Sequence, residues 1–363
     1  MIDAPALPPP AVVAPAPREV SFGLVTGTAP LGTRRILVHV GGRLAADSPL
    51  RGRSFSLNLR TIGPTTVRVT TIDGRGRRSS SLVEHVHALP QASAPRERAA
   101  RVDPVLAARL RSVLRRHAGT HGVYVQDLRS GLGASWNAGA RFPAASTLKL
   151  AIAVTVLRAV RGKPDPRSRL AVLLDRMLVG SDNASANELE IWLAGSTAAG
   201  SGRVNETMRA LGLHDSLMYG GYETERRSAS ASAPIPIRVE TQPAFGVGKY
   251  TTAADLARLT RAVYLAAAGR GPLLRLGVSG SEARYLLWLL ARVSDRGKLD
   301  RFLGGGSIVM HKAGWLPGAR HDNGVVAFAG GAFVASVMTW RAGGADELAG
   351  RIGQIALLRF SGR

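Results

Sequence analysis

Hydrophobic and polar residues follow a period of two near the start of the chain, where short apolar-rich runs are separated by turn residues. The runs cover residues 21–25, 35–40, 54–59, 65–72 and 81–88. Residues 66–70 alternate strictly between polar and apolar side chains, which is typical of a strand buried on one face. Turn sequences such as Gly41-Gly42 and Asp73-Gly74 lie between the runs. This pattern predicts a small all-β sandwich over residues 19–89.

The segments on either side of this module differ from it in composition. Residues 1–18 are rich in Pro and Ala, and we expect an extended tail that joins no strand ladder, because Pro lacks a backbone donor. Residues 90–102 are polar and contain Ala, Pro and Arg, which predicts a linker at the domain boundary. The strand layout of residues 19–89 resembles that of bacterial immunoglobulin-like modules, without a signature motif.

Residues 103–363 change between helical and strand patterns. Asp103-Pro104 predicts a helix start, and two short strand patterns around Arg129-Ser130-Gly131 predict a hairpin. Helical patterns cover most of 146–211 and return at 253–268, 281–293 and 346–360, whereas strand patterns cover 308–312, 323–328 and 332–340. A sheet with strands from both ends of a domain and helices inserted between them is an α+β arrangement.

Composition excludes several function classes. The chain has no Cys, so disulfides, thiol catalysis and Cys-ligated metals are excluded. No apolar run reaches about 18 residues, so no membrane span is expected, and the N-terminus shows no signal-peptide pattern. Nucleic-acid binding is the weakest option, because the basic residues are scattered and aromatic residues make up only 5%.

The formal charge of +23 has two interpretations. Abundant Arg, Ala and Gly favour a compositional bias of the source genome. Residues 20–89 nevertheless carry ten Arg against three acidic residues, so an anionic cell-envelope polymer is a candidate partner of residues 19–89.

One apolar helix carries a misplaced charge. Residues 142–157 have no polar face, which predicts a buried helix with Pro143 at its first position, yet Lys149 lies within it. Ser146 is three residues upstream on the same face, roughly 5–6 Å away between Cβ atoms. Desolvation and the helix N-terminus both lower the pKa of such a lysine, so that it can act as a base toward the serine.

Two later segments carry further candidate chemistry. Ser181-Asp182-Asn183 lies where one predicted helix ends and the next begins, and its alternative interpretation is an ordinary helix N-cap. Lys312-Ala313-Gly314 ends a predicted strand, where Gly allows a substrate to approach the strand edge closely. The alternative is an edge-strand lysine that discourages aggregation.

Together, these three segments resemble the motifs of the serine penicillin-recognising enzymes, which include class A β-lactamases and D-alanyl-D-alanine peptidases. The resemblance covers about residues 103–363. It implies a β-lactamase/transpeptidase-like fold, with an antiparallel sheet flanked by helices and a helical subdomain. It also implies an extracytoplasmic or envelope-associated location and a site without metal or cofactor.

The resemblance implies a role for each matched residue. Ser146 attacks the carbonyl, Lys149 takes its proton, and Ser181 relays a proton to the leaving nitrogen. Asn183 holds the substrate's side-chain amide, and Lys312 supplies positive potential. In the third motif, Gly314 lies at the strand edge that the substrate approaches. The backbone N–H groups of Ser146 and Trp315 form the oxyanion hole.

Three departures from the family pattern qualify the functional expectation. Ala313 replaces the usual Thr or Ser, and Arg320 is expected to substitute as a carboxylate contact. The interval between Ser146 and Ser181 is short, which suggests a trimmed helical domain. The Ω-loop of class A β-lactamases carries a deacylating glutamate, whereas here Glu223 is nearest to that position and Glu225 is second.

The sequence therefore predicts a serine β-lactamase-like hydrolase with a Ser146 acyl-enzyme, acting on a β-lactam or a peptidoglycan stem peptide. One alternative is a D-alanyl-D-alanine carboxypeptidase or endopeptidase, favoured by the weak Ω-loop match. Another is a catalytically idle wall-binding protein.

Overall fold

The computed structural model describes residues 6–223, 241–246 and 248–362. The chain divides into two compact units, Met1–Ala94 and Pro95–Arg363. The division falls inside the predicted linker of residues 90–102. Part of that linker belongs to the second unit as a sheet strand, so it is not a free spacer along its whole length.

From residue 6 onward, the first unit consists of strands and one short 3₁₀ turn, Gln91–Ser93. Its strands are β1 (Ala11–Ala14), β2 (Val20–Ser21), β3 (Leu24–Thr28), β4 (Thr33–Val40), β5 (Arg43–Pro49), β6 (Ser54–Asn58), β7 (Gly63–Asp73) and β8 (Arg78–Ala88). They form a three-stranded sheet in the order β1-β3-β6 and a five-stranded sheet in the order β2-β8-β7-β4-β5. Val25 and Phe55 of the first sheet share one core with Val38 and Val69 of the second, which makes a sandwich.

Strand β1 corrects one prediction. Residues 1–18 were expected to join no ladder, yet Ala11–Ala14 pairs antiparallel with β3. The prolines at positions 10 and 15 flank the Ala-Val-Val-Ala run rather than interrupting it, so its backbone donors stay available.

The second unit combines one large sheet with helices. Its strands are β9 (Arg101–Val102), β10 (Thr120–Asp127), β11 (Leu132–Trp136), β12 (Arg141–Pro143), β13 (Tyr250–Thr252), β14 (Ser307–Leu316), β15 (Ala319–Phe328) and β16 (Gly331–Trp340). Its helices are α1 (Pro104–Leu114), α2 (Lys149–Val160), α3 (Arg169–Val179), α4 (Asn183–Ala194), α5 (Thr197–Ala210), α6 (Ala253–Ala267), α7 (Pro272–Arg275), α8 (Gly280–Leu290) and α9 (Ala345–Phe360). The predicted hairpin is confirmed as β10 paired with β11.

The six-stranded sheet has the order β14-β15-β16-β10-β11-β9 and is antiparallel except for the short β9. Apolar residues of α1 and α9 share a core with β10 and β16. Helix α6 packs against β10, β15 and β16, while α2 to α5 pack on one another as a helical block. The chain thus has the predicted α+β architecture, with strands from both ends of the unit and helices inserted between them.

Among the described residues, no helix has the length and apolar character needed to cross a bilayer. The same residues contain no cluster of three or more His, Asp or Glu side chains that could hold a metal ion.

Candidate active site

Ser146 lies in a tight 3₁₀ turn, Ala145–Leu148, immediately before α2. The prediction that the helix begins at Pro143 is wrong, because Pro143 ends strand β12 and the α-helix begins at Lys149. Ala145 has a positive φ of 49°, which is unusual for a residue with a side chain. The turn leaves Ser146 partly exposed at the start of a buried helix.

His321 fixes the backbone that leads into this turn. Its Nδ1 accepts a hydrogen bond from the Thr339 N–H (3.2 Å), so its proton is on Nε2, which donates to the Pro143 carbonyl (2.8 Å). Burial lowers the pKa of His321 to about 4, and the imidazole is therefore neutral at physiological pH. The side chain holds the turn without placing a charge beside it.

Lys149 is fully buried, as the sequence predicted. Its Nζ donates to the Ser181 carbonyl and to Asn183 Oδ1, both at 2.5 Å. Burial, and then the positive charge of Lys312, lower the pKa of Lys149 to about 7. Part of the population therefore carries a neutral amine at neutral pH, and the neutral amine is the form that can accept a proton.

The Ser181-Asp182-Asn183 segment serves two purposes. Asp182 caps α4, because its carboxylate accepts the Ser185 N–H at 2.7 Å. Its neighbours contact the two lysines instead: Asn183 accepts from Lys149, and Ser181 Oγ accepts from Lys312 Nζ at 2.9 Å. The cap and the cleft-lining function therefore coexist on consecutive residues.

Lys312 is buried on β14 and also donates to the Ala313 carbonyl at 3.0 Å. Burial lowers its pKa to about 8, opposed by the negative charges of Asp295 and Asp322. Asp322 is itself buried beside Lys312, where it contacts His311 Nδ1 at 2.8 Å. Lys312 therefore stays mostly protonated at neutral pH and supplies positive charge to the site.

Gly314 lies directly against the Ser146 turn. A Cβ at this position would meet Ala145 Cβ and Thr147 Cγ2 at 3.0 Å and the Ser146 nitrogen at 3.1 Å. The absence of a side chain therefore lets the edge of β14 approach the nucleophile's backbone. The approach of a substrate to Gly314 stays a prediction.

Trp315 and Arg320 face each other across the β14–β15 ladder. Trp315 is 56% exposed, and the Arg320 guanidinium lies 4.9 Å from its ring centroid. The pair forms an exposed cationic and aromatic rim beside Gly314. A contact of Arg320 with a substrate carboxylate stays a prediction.

Near the position expected for the deacylating glutamate, the residue in contact with Lys149 is Tyr222 rather than Glu223. The Tyr222 ring lies 4.6 Å from Lys149 Nζ and is buried, whereas Glu223 is exposed with a φ of 63°. The charge of Glu223 raises the pKa of Lys149, but less than burial lowers it. A deacylating role for Glu223 stays a prediction, and Glu225 lies outside the described residues.

Sequence reasoning missed Tyr222 because its placement depends on a distant contact. Asn187 Nδ2 donates to the Tyr222 carbonyl (2.9 Å), and Asn187 Oδ1 accepts the Tyr222 N–H (2.6 Å). Asn187 follows Asn183 by one helical turn on α4, so it lies on the same face. That spacing was the one signal available in the sequence.

Comparison with known proteins agrees with this geometry. The profile of the Beta-lactamase enzyme family matches residues 105–172 and 161–360. No curated protein matches the chain significantly in sequence.

Solved structures share the fold. A structure of PBP-A has a TM-score of 0.58 and 20% identity, covering 73% of this chain and 99% of its own. A β-lactamase from Sphaerobacter thermophilus DSM 20745 has a TM-score of 0.54 and 21% identity, covering 71% and 97%. An ancestral class A β-lactamase has a TM-score of 0.56 and 21% identity, covering 70% and 100%.

Proposed function

Because the chain belongs to the β-lactamase enzyme family, we propose that it is a serine hydrolase that opens β-lactam rings through an acyl-enzyme on Ser146. The observation that carries this proposal is the buried Lys149 amine, which contacts Ser181 and Asn183 and has a pKa of about 7. A lysine of this kind can accept the hydroxyl proton of a serine one helical turn away at neutral pH.

The proposed chemistry balances as a single acyl transfer. Neutral Lys149 takes the Ser146 proton, Ser146 Oγ attacks the carbonyl carbon, and the C–N bond breaks. Ser181 passes its hydroxyl proton to the leaving nitrogen and is reprotonated by the proton that Lys149 took from Ser146. One proton thus moves from Ser146 to nitrogen, and no redox partner is required.

The negative charge that develops on the carbonyl oxygen during the attack needs hydrogen-bond donors to stabilise it. We propose the backbone N–H groups of Ser146 and Trp315, since Gly314 brings that edge of β14 against the Ser146 turn. One such donor contributes about 3 kcal/mol of transition-state stabilisation. Lys312 and the Arg320 rim then supply positive potential for a substrate carboxylate.

A D-alanyl-D-alanine carboxypeptidase or endopeptidase is the second candidate, and Tyr222 favours it. This residue presents an aromatic ring, not a carboxylate, to Lys149. Without a carboxylate there, activation of the deacylating water is weak and the penicilloyl enzyme is long-lived. A wall-peptide substrate would place the protein outside the cytoplasm.

Intact-protein mass spectrometry after incubation with penicillin G tests the acylation, together with a chromogenic cephalosporin assay for turnover. We expect an adduct on the wild type and none on Ser146→Ala. Ser135→Ala, which removes an exposed serine on β11, serves as the matched control and should be acylated normally. The absence of both an adduct and turnover in the wild type would reject the proposal and favour a catalytically idle binding protein.

D-Alanine release from muropeptides separates the two enzyme candidates. A long-lived adduct combined with D-alanine release supports the peptidase. Rapid cephalosporin turnover without D-alanine release supports the β-lactamase.

A further inference from the structure

We propose that Tyr222 is a cap over Lys149 that keeps water away from the amine and thereby prolongs the life of the acyl-enzyme. The proposal rests on the proposed function, because it concerns the fate of the acyl group once Ser146 carries it. It assigns to Tyr222 a positioning and shielding role.

The Tyr222 ring lies close to two lysine amines. Lys149 Nζ is 4.6 Å and Lys249 Nζ is 4.5 Å from its centroid, and both distances are within cation–π range. Lys249 also donates to the Tyr219 carbonyl (2.8 Å) and the Gly221 carbonyl (2.6 Å). Lys249 therefore holds the backbone before Tyr222 as well as its ring.

The backbone of Tyr222 is fixed independently by Asn187. The Asn187 side chain both donates to and accepts from Tyr222, and Asn187 is buried on α4. The same helix begins with Asn183, which contacts Lys149. The cap is thus attached to the wall of the site that it covers.

The Tyr222 phenol cannot replace a carboxylate base. Burial raises its pKa well above the ordinary value, so the phenol is neutral. Its hydroxyl is buried and has no hydrogen-bond partner among the described residues. Replacing Tyr222 with Phe therefore removes an unsatisfied donor and leaves the ring in place, which makes Tyr222→Phe the matched control.

Charged groups from several elements face Lys149. Lys312 on β14 and Lys249 before β13 lower its pKa, while Asp182 and Glu223 raise it. Burial acts more strongly than any of these charges. Removing the ring admits water, so the pKa of Lys149 should rise toward its ordinary value.

The experiment is acylation with a fluorescent penicillin, removal of excess reagent, and measurement of the decay of the adduct. We expect the adduct of Tyr222→Ala to decay about tenfold faster than that of the wild type, and the adduct of Tyr222→Phe to decay within about twofold of it. The midpoint of the acid limb of the acylation pH profile should move to higher pH by about one unit in Tyr222→Ala, but not in Tyr222→Phe. Equal decay rates in folded wild type and Tyr222→Ala would overturn the proposal.

Failure of acylation is distinguishable from failure of the cap. If neither the wild type nor any variant forms an adduct, the proposed function is wrong. The titration of Lys149, observed by NMR, then tests whether Tyr222 shields the amine. A higher Lys149 midpoint in Tyr222→Ala than in Tyr222→Phe supports the cap, and equal midpoints reject it.

A second inference comes from a separate feature, a cavity of about 870 Å³ at the far edge of the six-stranded sheet. Strand β14, which carries Lys312, forms one edge of this sheet, and β9 forms the other. Charged residues lining the cavity are Arg96, Arg98, Arg101, Arg129, Arg359, Asp103 and Asp127.

The acidic residues of this cavity are already engaged. Asp103 accepts from Arg359 at 2.9 Å, and Asp127 accepts the Ser130 N–H and hydroxyl at 2.6 Å. By contrast, the side chains of Arg96, Arg98 and Arg129 have no hydrogen bond or ion pair within the part of the chain that the structure describes. The cavity therefore presents three guanidinium groups without an ion-pair partner among the described residues, and its five arginines outnumber its two aspartates.

The backbone that carries these arginines is fixed. Arg261 donates to the Arg98 carbonyl and Arg270 to the Pro95 carbonyl, both at 2.8 Å. The backbone around Ala99 also packs against the turn between β10 and β11, because a Cβ on Gly131 would be 2.3 Å from the Ala99 oxygen. We infer that this cavity binds a phosphate-bearing polyanion, whose oxygens match the guanidinium fork.

Fluorescence anisotropy with labelled linear polyphosphate at fixed salt tests this inference. The triple variant Arg96→Ser, Arg98→Ser and Arg129→Ser should bind about tenfold more weakly than the wild type. The control removes the same charge from the first unit through Arg43→Ser, Arg51→Ser and Arg60→Ser, and should change binding by less than about twofold. Equal losses in both triples would reject the cavity in favour of general charge attraction, as would a wild type that does not bind.

Discussion

Lys312 and Ser181 share a hydrogen bond of 2.9 Å although 131 positions separate them in the chain. This contact joins strand β14 to the turn before α4, and Gly314 on the same strand lies against the turn that carries Ser146. The Lys149 amine contacts the same turn through the Ser181 carbonyl. Ser181 therefore contacts both buried lysine amines, Lys149 through its carbonyl and Lys312 through its hydroxyl.

Replacing Ser181 with Ala should slow acylation by about 10²- to 10⁴-fold, because the leaving nitrogen loses its proton donor. Lys312 Nζ would also lose one of its two acceptors. The second-order rate of penicillin acylation measures the effect. Ser135→Ala should leave that rate unchanged, and a Ser181→Ala enzyme that acylates at the wild-type rate would remove Ser181 from the mechanism.

Acylation should show a bell-shaped pH profile. The base form of Lys149 increases as pH rises through about 7, whereas the cationic form of Lys312 decreases as pH rises through about 8. The rate should therefore increase up to about pH 7.5 and decline above it. A profile measured from pH 5 to 10 that stays flat through this range would contradict both assignments.

Gly314→Ala should reduce acylation and destabilise the protein by about 1–3 kcal/mol, because the new methyl group would press on the Ser146 turn. Chemical unfolding and acylation rates measure the two effects. Gly305→Ala is the matched control, since a Cβ at Gly305 has no heavy atom within 4 Å. Equal effects of both substitutions would show that the contact with the turn is unimportant.

His321 should make the protein acid-sensitive. Its pKa is about 4 in the folded protein against 6.5 for an ordinary histidine, so the unfolded chain gains a proton first as pH falls. The stability contribution is fully present above pH 6.5 and is lost between pH 6.5 and 4, by about 3 kcal/mol.

Unfolding free energies at pH 7 and pH 4.5 measure this loss in the wild type and in His321→Gln. The variant should be less stable at pH 7 because it loses contacts, but its stability should fall less on acidification. An identical fall in both proteins would assign the acid sensitivity to other groups.

Much of the α+β core could be predicted because its signals are local. The buried position of Lys149 followed from an uninterrupted apolar run, and the hairpin of β10 and β11 followed from two alternating runs around a turn. Residues that face the same cleft were recognisable because their types and order match a family pattern.

Other features depend on distant contacts that no local pattern reveals. Pro143 fits a helix start equally well as a strand end, and its pairing with Tyr250 on β13 decides between them. Strand β1 likewise exists because β3 offers a free edge to four residues between prolines. Tyr222 is held beside Lys149 by Asn187, 35 positions earlier in the chain, and by Lys249, 27 positions later.

The attachment of Tyr222 has an evolutionary consequence. Asn187 binds only main-chain atoms of Tyr222, so the clamp places a residue over Lys149 without specifying its side chain. A single codon change at position 222 can therefore replace the group over the amine while the acylating residues on α2, α4 and β14 stay as they are. Under the proposed function, substitutions at position 222 would change the release of the acyl group separately from its formation on Ser146.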